Sequence, residues 1–422
     1  MPRINKKNIA IILGNALEYY DFMLYGFFAA ILAPLFFPND TPGISLIISM
    51  ASYGVGFLAR PLGGIVFGHL GDRKGRKNTL SFSILLLTIP TLGIALLPTY
   101  AQIGIWAPLL LVSFRLLQGF CLGGEASGAM TYLMENTPPH EKDIMSAWLV
   151  VSCYMGTLFG TLLGSLFTLS IMPSWGWRLT FIVGAFIAFI GYYIRKNLEE
   201  SPEFLDSQKQ GKILKLPLKQ LLKAEKLHLF FAAGLSSAVI IPFMTVFIHL
   251  NMLFTKTLHL NPSFVLFLNS GLMVFWIILL PIFGSLAQKY GRKPVMSFGL
   301  LGMGALAYPL FFLMGTEPTL ESILFTQFLL SIFAVAYAAP TSALLVELFP
   351  VNERYSGIAV GYSLGHAIFG GLTPMLFALL VQSYGFIYAP ATGIIFSSLL
   401  GLFVLHNKLL HLKSQPQSFA GA

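Results

Sequence analysis

Glu18 and Asp21 stand three residues apart in an otherwise apolar run. With Gly14 and Tyr25 they follow the i, i+4, i+7, i+11 spacing of a single helix face. An ionisable side chain in mid-bilayer costs about 2.5–3.5 kcal/mol on insertion scales, so it marks function by default. Two carboxylates in one dehydrated cavity repel, and one of them can then take up and release a proton. That is the requirement for proton coupling; plain ion pairing with Arg60 or Arg115 is the alternative. A second set, Arg115, Gln118 and Glu125, falls within an arc of about 80° at 3.6 residues per turn. Arg115 is the expected partner of a substrate carboxylate, because a guanidinium holds one bidentately. An ion pair with Glu18, Asp21 or Glu125 is its alternative. Glu125 joins Glu18 and Asp21 as a proton-linked candidate. Arg60, next to the ladder-interrupting Pro61, reads as nearer the inner end of its helix, and as structural or gating more than substrate-binding.

Such groups need spanning helices to hold them, and the composition supplies them. The chain has 422 residues, 56% hydrophobic and 10% charged, with a mean hydropathy of +0.76. A soluble domain carries roughly a quarter charged residues. These values exclude a disordered chain, a nucleic-acid-binding domain and an ordinary cytosolic enzyme. One span takes about 20 apolar residues, so the apolar total suffices for about twelve. Runs bounded by charges, Pro and Gly predict helices over 8–37, 44–70, 78–98, 104–136, 143–171 and 177–195, then over 228–254, 262–288, 294–314, 321–348, 355–382 and 386–406. The expected fold is an all-α membrane protein. It comprises a six-helix bundle over 1–195, a linker over 196–227, a second bundle over 228–406 and a short tail over 407–422. With both termini inside, the inner segments hold 22 of the 26 Lys and Arg, which supports that orientation. The count assigns Arg195 and Lys196 to the linker. The net charge of +9 then reads as orientation, not as attraction to an acidic partner. Ile213, Leu214, Leu218, Leu221 and Leu222 fall at near-helical spacing, which predicts an amphipathic helix on the inner membrane surface. Met1–Lys7 leads into the first apolar run as a signal peptide would, but Glu18, Asp21 and the lack of a clear cleavage site predict a retained helix. Cys121 and Cys153 give neither a disulfide framework nor metal-ligand spacing.

The two halves echo each other. Gly71-Asp72-Arg73-Lys74-Gly75-Arg76-Lys77 follows the second helix, and Gln288-Lys289-Tyr290-Gly291-Arg292-Lys293 follows the eighth. Glu135 before Lys142 is matched by Glu347 before Arg354. Gly156, Gly160 and Gly164 in the fifth helix are matched by Gly357, Gly361 and Gly365 in the eleventh. Duplication of this kind is typical of transporters, whose sites lie between repeats near the midplane. A glycine at every fourth position permits close helix approach. Packing explains such a stripe, and a sliding surface between halves is the functional addition.

These residues resemble the major facilitator superfamily, in its metabolite:proton symporter branch. The resemblance rests on Gly14-Asn15-Ala16-Leu17-Glu18-Tyr19-Tyr20-Asp21-Phe22 with Tyr25-Gly26, and on Arg60-Pro61-Leu62-Gly63-Gly64 through Lys77. It continues in Arg115-Leu116-Leu117-Gln118-Gly119 through Glu125, in Glu200-Ser201-Pro202-Glu203-Phe204, and in Glu347-Leu348-Phe349-Pro350 through Gly357. It implies a secondary carrier working by alternating access, driven by a proton gradient. It requires no cofactor, acts on a small-molecule substrate in a lipid bilayer and has the monomer as default. Candidate substrate contacts are Arg115, Gln118, Asn15, Tyr25, Arg60, Trp276 and Tyr337; aromatic faces attract quaternary ammonium groups, and packing is the plainer reading of Trp276 and Tyr337. His249, Asn251, Asn269 and His366 are further polar candidates of the second half. Gly71, Asp72, Arg73, Gly75 and Arg76 resemble the motif that holds the inner side closed. It would set an acid at a helix N-terminus and a base against Glu135, with Arg292 and Glu347 as counterpart. The second loop departs from the motif at Ala287 and Gln288. The short tail lacks the coiled coil of osmosensory relatives. Antiporters of the superfamily usually carry Gly-Pro in the fifth helix; Gly156-Thr157-Leu158-Phe159-Gly160-Thr161 has none, which favours symport. No metalloprotease or phosphate-binding motif points to an enzyme. A proline- or betaine-like zwitterion is the preferred substrate, with a di- or tricarboxylate as the alternative.

Overall fold

A computed structural model describes residues 6–39, 42–169, 171–211, 221–223, 225–315, 318–385 and 387–407. The first half contains α1 (Lys6–Phe36), α2 (Pro42–Lys74), α3 (Arg76–Leu96), α4 (Trp106–Glu135), α5 (Lys142–Phe167) and α6 (Trp177–Lys196). The second half begins with α7 (Lys226–Met244), prolonged by a π turn over Thr245–His249 and by Leu250–Lys256. It continues with α8 (Pro262–Tyr290), α9 (Arg292–Met314) and α10 (Leu320–Ala338, resumed over Thr341–Glu347). It ends with α11 (Arg354–Gly365, followed by a π turn over His366–Gly371 and a helix over Leu372–Tyr384) and α12 (Ala389–His406). Among the described residues nine helices are long and apolar enough to cross a membrane, and none forms a strand. The fold is the twelve-helix arrangement of two bundles. Pro61 does not interrupt α2, which runs on through it.

The repeat is visible in the packing. In the first half α1 packs on α5, α2 on α4, and α3 on α4 and α6; in the second, α7 packs on α11, α8 on α10, and α9 on α10 and α12. The halves meet along α2 against α11 and along α5 against α8. Without a hydrophobic drive between helices in lipid, close backbone contact holds such pairs, and glycine provides it. A Cβ on Gly63 would lie 1.7 Å from the Phe120 carbonyl oxygen, one on Gly119 1.8 Å from that of Gly56, and one on Gly123 2.0 Å from that of Arg60.

The glycine stripes of α5 and α11 are packing surfaces within each half, not a sliding surface between halves. Gly156 abuts Ala16 of α1, while Gly361 and Gly365 abut Ala232 and Ala233 of α7. The close approaches between halves use other glycines. Gly64 and Gly68 of α2 meet Ala359 and Ser356 of α11, and Gly284 of α8 meets Ala147 of α5.

Of the linker, the structure describes a helix over Pro202–Lys209, with the Ser201 hydroxyl accepting the Phe204 N–H at 3.2 Å as cap. Leu221 is buried and Leu222 exposed. Ile213, Leu214 and Leu218 of the expected amphipathic helix lie outside the described residues, as do 1–5 and 408–422.

The α2–α4 contact yields a stability test. Gly123→Ala forces a methyl into a backbone carbonyl and should cost about 1–3 kcal/mol, read as a lower unfolding temperature in detergent. Gly271→Ala, where a Cβ meets nothing within 4 Å, should leave that temperature unchanged.

Candidate functional site

Between the halves lies a cavity of about 90 Å3, room for roughly three waters. Asn15, Tyr19 and Arg60 line it from α1 and α2, and Cys153, Tyr154 and Thr157 from α5. Phe243, Thr341, Ser342, Tyr362 and His366 face it from the second half. Arg60 is the one Lys or Arg among the described lining residues, and no Asp or Glu is among them. Its guanidinium carbon lies 4.6 Å from the centre of the Phe57 ring. Asn15 fastens α1 to α5 at the cavity wall, its amide donating to the Ser152 hydroxyl at 2.8 Å and the Leu149 carbonyl at 3.3 Å.

One wall is aromatic and crosses the interface between the halves. The ring of Tyr154 lies 6.2 Å from Phe243, 5.8 Å from Phe247 and 4.8 Å from Trp276. Tyr154 and Phe243 face the cavity, with Trp276 buried behind them. Tyr337 is elsewhere: its hydroxyl donates to the Leu235 carbonyl at 2.8 Å and ties α10 to α7. His366 opens the π turn of α11, its ring 3.9 Å from that of Tyr362. Near the π turn of α7, the Gln327 amide donates to the Val246 carbonyl at 2.9 Å and to Asn251 at 3.1 Å.

Arg115 is not among the residues that line the cavity. It is buried inside the first bundle, 4.5 Å over the ring of Tyr25 and 5.2 Å over that of Tyr53. Its Nη1 donates to the Gln118 Oε1 at 2.8 Å, and the Gln118 amide donates in turn to the Asp21 Oδ2 at 2.8 Å. The Thr91 hydroxyl donates to the same oxygen at 2.7 Å. Gln118 therefore stands between a cation and an anion that the sequence leaves free to pair directly. Tyr25 completes the cluster through its hydroxyl bond with Ser52.

Glu125 lies two turns further along α4 and joins a different cluster. It accepts the Ser83 hydroxyl at 2.5 Å and forms an ion pair with Arg195. Arg195 corrects the sequence reading: it is no linker residue but sits fully buried in the last turn of α6. Gly14 makes the room, since a Cβ there would lie 2.3 Å from the Arg195 Nη2. Glu18, one turn beyond Gly14 on α1, is 1% exposed, and neither of its oxygens has a hydrogen-bond partner among the described residues. Arg195 acts on its charge first and Arg60 second. The expected sixth helix, 177–195, ends on Arg195, but the charge count placed that residue with the linker instead of inside the bundle. The missed signal is charge balance: Glu18, Asp21 and Glu125, deep in their apolar runs, faced only Arg60 and Arg115 there.

The basic ends of the halves are locked together. The Asp72 carboxylate accepts the N–H groups of Tyr355 at 3.1 Å and Ser356 at 2.8 Å, so an acid of α2 caps the N-terminus of α11 across the interface. Arg76 reaches Glu135 at 3.3 Å and donates to the Val351 carbonyl at 2.6 Å. Glu135 also accepts Arg354 at 3.0 Å and the Ser201 hydroxyl at 2.5 Å, and Arg354 pairs with Glu203. Arg73 is exposed. Gly75 and Gly291 occupy matching turns with φ of 103° and 91°, which glycine adopts without strain. Glu200 caps α3 by accepting the N–H groups of Arg76 at 3.0 Å and Lys77 at 3.3 Å. Burial pushes its carboxyl up, against the pull of those donors. In the second loop Arg292 meets Glu347 at 3.1 Å and pairs as well with Asp143 of α5. The acid missing at Gln288 is thus supplied by the opposite half. A larger opening of about 420 Å3 surrounds this triad, but its arginine and both carboxylates are already paired.

Two six-helix bundles enclosing a cavity between them, with a cross-bundle lock at one end, define a multi-pass membrane carrier. Residues 7–215 match the family described as sugar (and other) transporter, and residues 228–419 match the major facilitator superfamily. The glycine betaine/proline/ectoine/pipecolic acid transporter of Dickeya dadantii is 32% identical over 95% of this chain and 82% of its own length. A putative proline/betaine transporter of Staphylococcus haemolyticus is 33% identical over 97% and 88%. Among solved structures, the proton:xylose symporter XylE superposes with a TM-score of 0.78 at 18% identity, covering 95% of this chain and 94% of that one. A human organic anion transporter does so with 0.69 at 16% identity, covering 96% and 100%. The chain belongs to the major facilitator superfamily. It is a solute transporter of the membrane and not an enzyme.

Two outcomes follow from these contacts. Arg195→Ala strands a buried Glu125 and should cost about 3–5 kcal/mol, whereas the double variant Arg195→Met with Glu125→Leu should recover most of it, both read by thermal unfolding. Asp72→Asn weakens the cap on α11 and should lower uptake per inserted molecule more than it lowers the amount inserted. Normal uptake per molecule would dismiss a gating role for Asp72.

Proposed function

We propose that this transporter is a proton-coupled symporter for a small zwitterion of the proline or betaine type, working by alternating access as a monomer. The observation that carries the reading is Arg60, the one guanidinium among the described cavity-lining residues, beside an aromatic wall. A single cation suits a single carboxylate, and electron-rich ring faces suit a substituted ammonium. A dicarboxylate would call for a second cation. The carboxylate role thus passes from Arg115 to Arg60, because Arg115 is engaged with Gln118 and two tyrosines inside the first bundle. The relatives named for proline, betaine, ectoine and pipecolic acid support a solute of this class.

Coupling follows from competition. Arg60 acts on Glu18, so an ionised Glu18 and a substrate carboxylate compete for the same guanidinium. A proton on Glu18 removes the competitor, and solute then binds. Release at the other face of the membrane runs in reverse as the proton leaves. Asp21, held by Thr91 and Gln118, positions the neighbouring helix face. The basic face lies toward the cytoplasm by the positive-inside rule, so this structure, locked at that face, belongs to the outward-facing half of the cycle.

Uptake into proteoliposomes with and without an imposed pH gradient tests the reading. Proline and glycine betaine should accumulate only with the gradient. Arg60→Ala should weaken their apparent affinity by about 2 kcal/mol or more, roughly thirtyfold. Glu18→Gln should keep exchange and lose accumulation. Transport of α-ketoglutarate alone, or accumulation unchanged in Glu18→Gln, would overturn it.

A further inference from the structure

The second residue of α11 belongs to one bundle and is housed in the other. Tyr355 is fully buried, seated against α2 and α4 of the first half. Three glycines shape its socket. A Cβ on Gly71 would lie 2.2 Å from its ring, and one on Gly128 would lie 2.1 Å from its hydroxyl. The third, Gly124, accepts that hydroxyl through its carbonyl at 2.8 Å. The root of the same residue is pinned by Asp72, which accepts the Tyr355 N–H at 3.1 Å.

The tip of the side chain bonds α4 beside the charge cluster. Gly124 immediately precedes Glu125, the partner of Arg195. The charged groups acting on the phenol are Arg195 from α6, Arg76 and Asp72 from the α2–α3 turn, and Glu18 from α1. One residue of the second bundle is therefore tied to the lock of the basic face at its root and, at its tip, to the backbone next to Glu125. No role assigned so far uses it.

We propose that Tyr355 is a withdrawable plug that couples opening of the basic face to wetting of the buried carboxylate cluster. This rests on the proton-coupled reading above. The basic face opens only if α11 parts from α2, where Gly68 abuts Ser356 and Gly64 abuts Ala359. Tyr355 then leaves with the second bundle. Its departure vacates a phenol-sized socket beside the Gly124 carbonyl, which keeps the Ser127 hydroxyl as a donor at 3.0 Å, and water is the available occupant of the emptied polar socket. Water arriving beside Glu125 and Arg195 gives the Glu18 proton its exit on that side. While the plug is seated, the cluster stays dry from that side and no proton crosses without a conformational cycle.

The test uses the full chain in proteoliposomes with three readouts: solute exchange at equal pH, accumulation driven by a pH gradient, and proton leak without solute by an entrapped pH dye. Tyr355→Ala should keep exchange within about twofold, lose about tenfold or more of the accumulation ratio, and leak protons. Tyr355→Phe keeps the ring and should stay tight. Gly128→Ala drives a methyl to 2.1 Å from the hydroxyl and 2.7 Å from the ring, and should resemble Tyr355→Ala. The plug is refuted if Tyr355→Ala holds protons as tightly as the wild-type protein. It is equally refuted if exchange and accumulation fall together in step with the unfolding temperature, which marks a packing role. Wild-type uptake indifferent to the gradient would sink the proton-coupled reading, and the dye leak would still judge the plug.

Discussion

A carboxylate buried in a bilayer must be given a cation or a proton, and the buried acids of the first bundle show how this fold meets that demand. The other buried acids of the first bundle, Glu18 apart, each have a hydrogen-bonded or ion-paired partner. Asp21 is held by Thr91 and Gln118, Glu125 by Ser83 and Arg195, and Glu135 by Arg76 and Arg354. Glu18 has two guanidinium groups acting on it and no hydrogen-bond partner among the described residues. On the proton-coupled reading proposed above, Glu18 is where solute and proton alternate, because an uncompensated ion in low dielectric is costly.

Duplication built the scaffold, and its imperfections show where the two interfaces differ. The α2–α11 and α5–α8 contacts are equivalent by the repeat, and Gly75 and Gly291 turn the chain alike. Yet the first interface is closed by an acid of the loop region capping a helix of the other half, while the second is closed by Arg292 reaching Asp143. A carboxylate on two backbone N–H groups and a helix dipole is directional; a partly solvated ion-pair triad is screened and softer. The two locks are then unequal, and the firmer one lies beside Tyr355 and the charge cluster.

Most of the fold was legible because bilayers restrict the grammar. Apolar runs of sufficient length, Pro and Gly boundaries and the asymmetry of Lys and Arg mark the twelve spans to within a few residues. The site was legible only in kind. Glu18, Asp21, Arg60, Arg115 and Glu125 announce themselves as charges in apolar runs. Which of them faces the cavity depends on helix rotation, and a six-residue polar cluster looks the same in sequence whether it faces a substrate or a neighbouring helix. Arg115 shares an arc with Glu125, yet Gln118 diverts it to Asp21. Arg195 was hidden for the opposite reason: standing beside Lys196 at the end of an apolar run, it has the signature of a membrane-edge base. Only Gly14 across the bundle, with its missing Cβ, reveals that a guanidinium lies there.

The glycines carry a further lesson about motion. Where backbone meets backbone within a bundle, as at Gly63, Gly119 and Gly156, any relative shift closes a van der Waals gap that is already minimal, so the bundle moves as a body. Between bundles the close glycine approaches lie on α2, α4 and α8. They can part without tearing a hydrophobic core, because lipid replaces protein contacts at little cost. What resists parting is polar: the cap on α11 and the ion pairs of the basic face. Polar locks at the rim, dry backbone contact inside each bundle and a cavity between them are the arrangement that the alternating-access reading proposed above calls for, with each bundle rocking as a body about one central site.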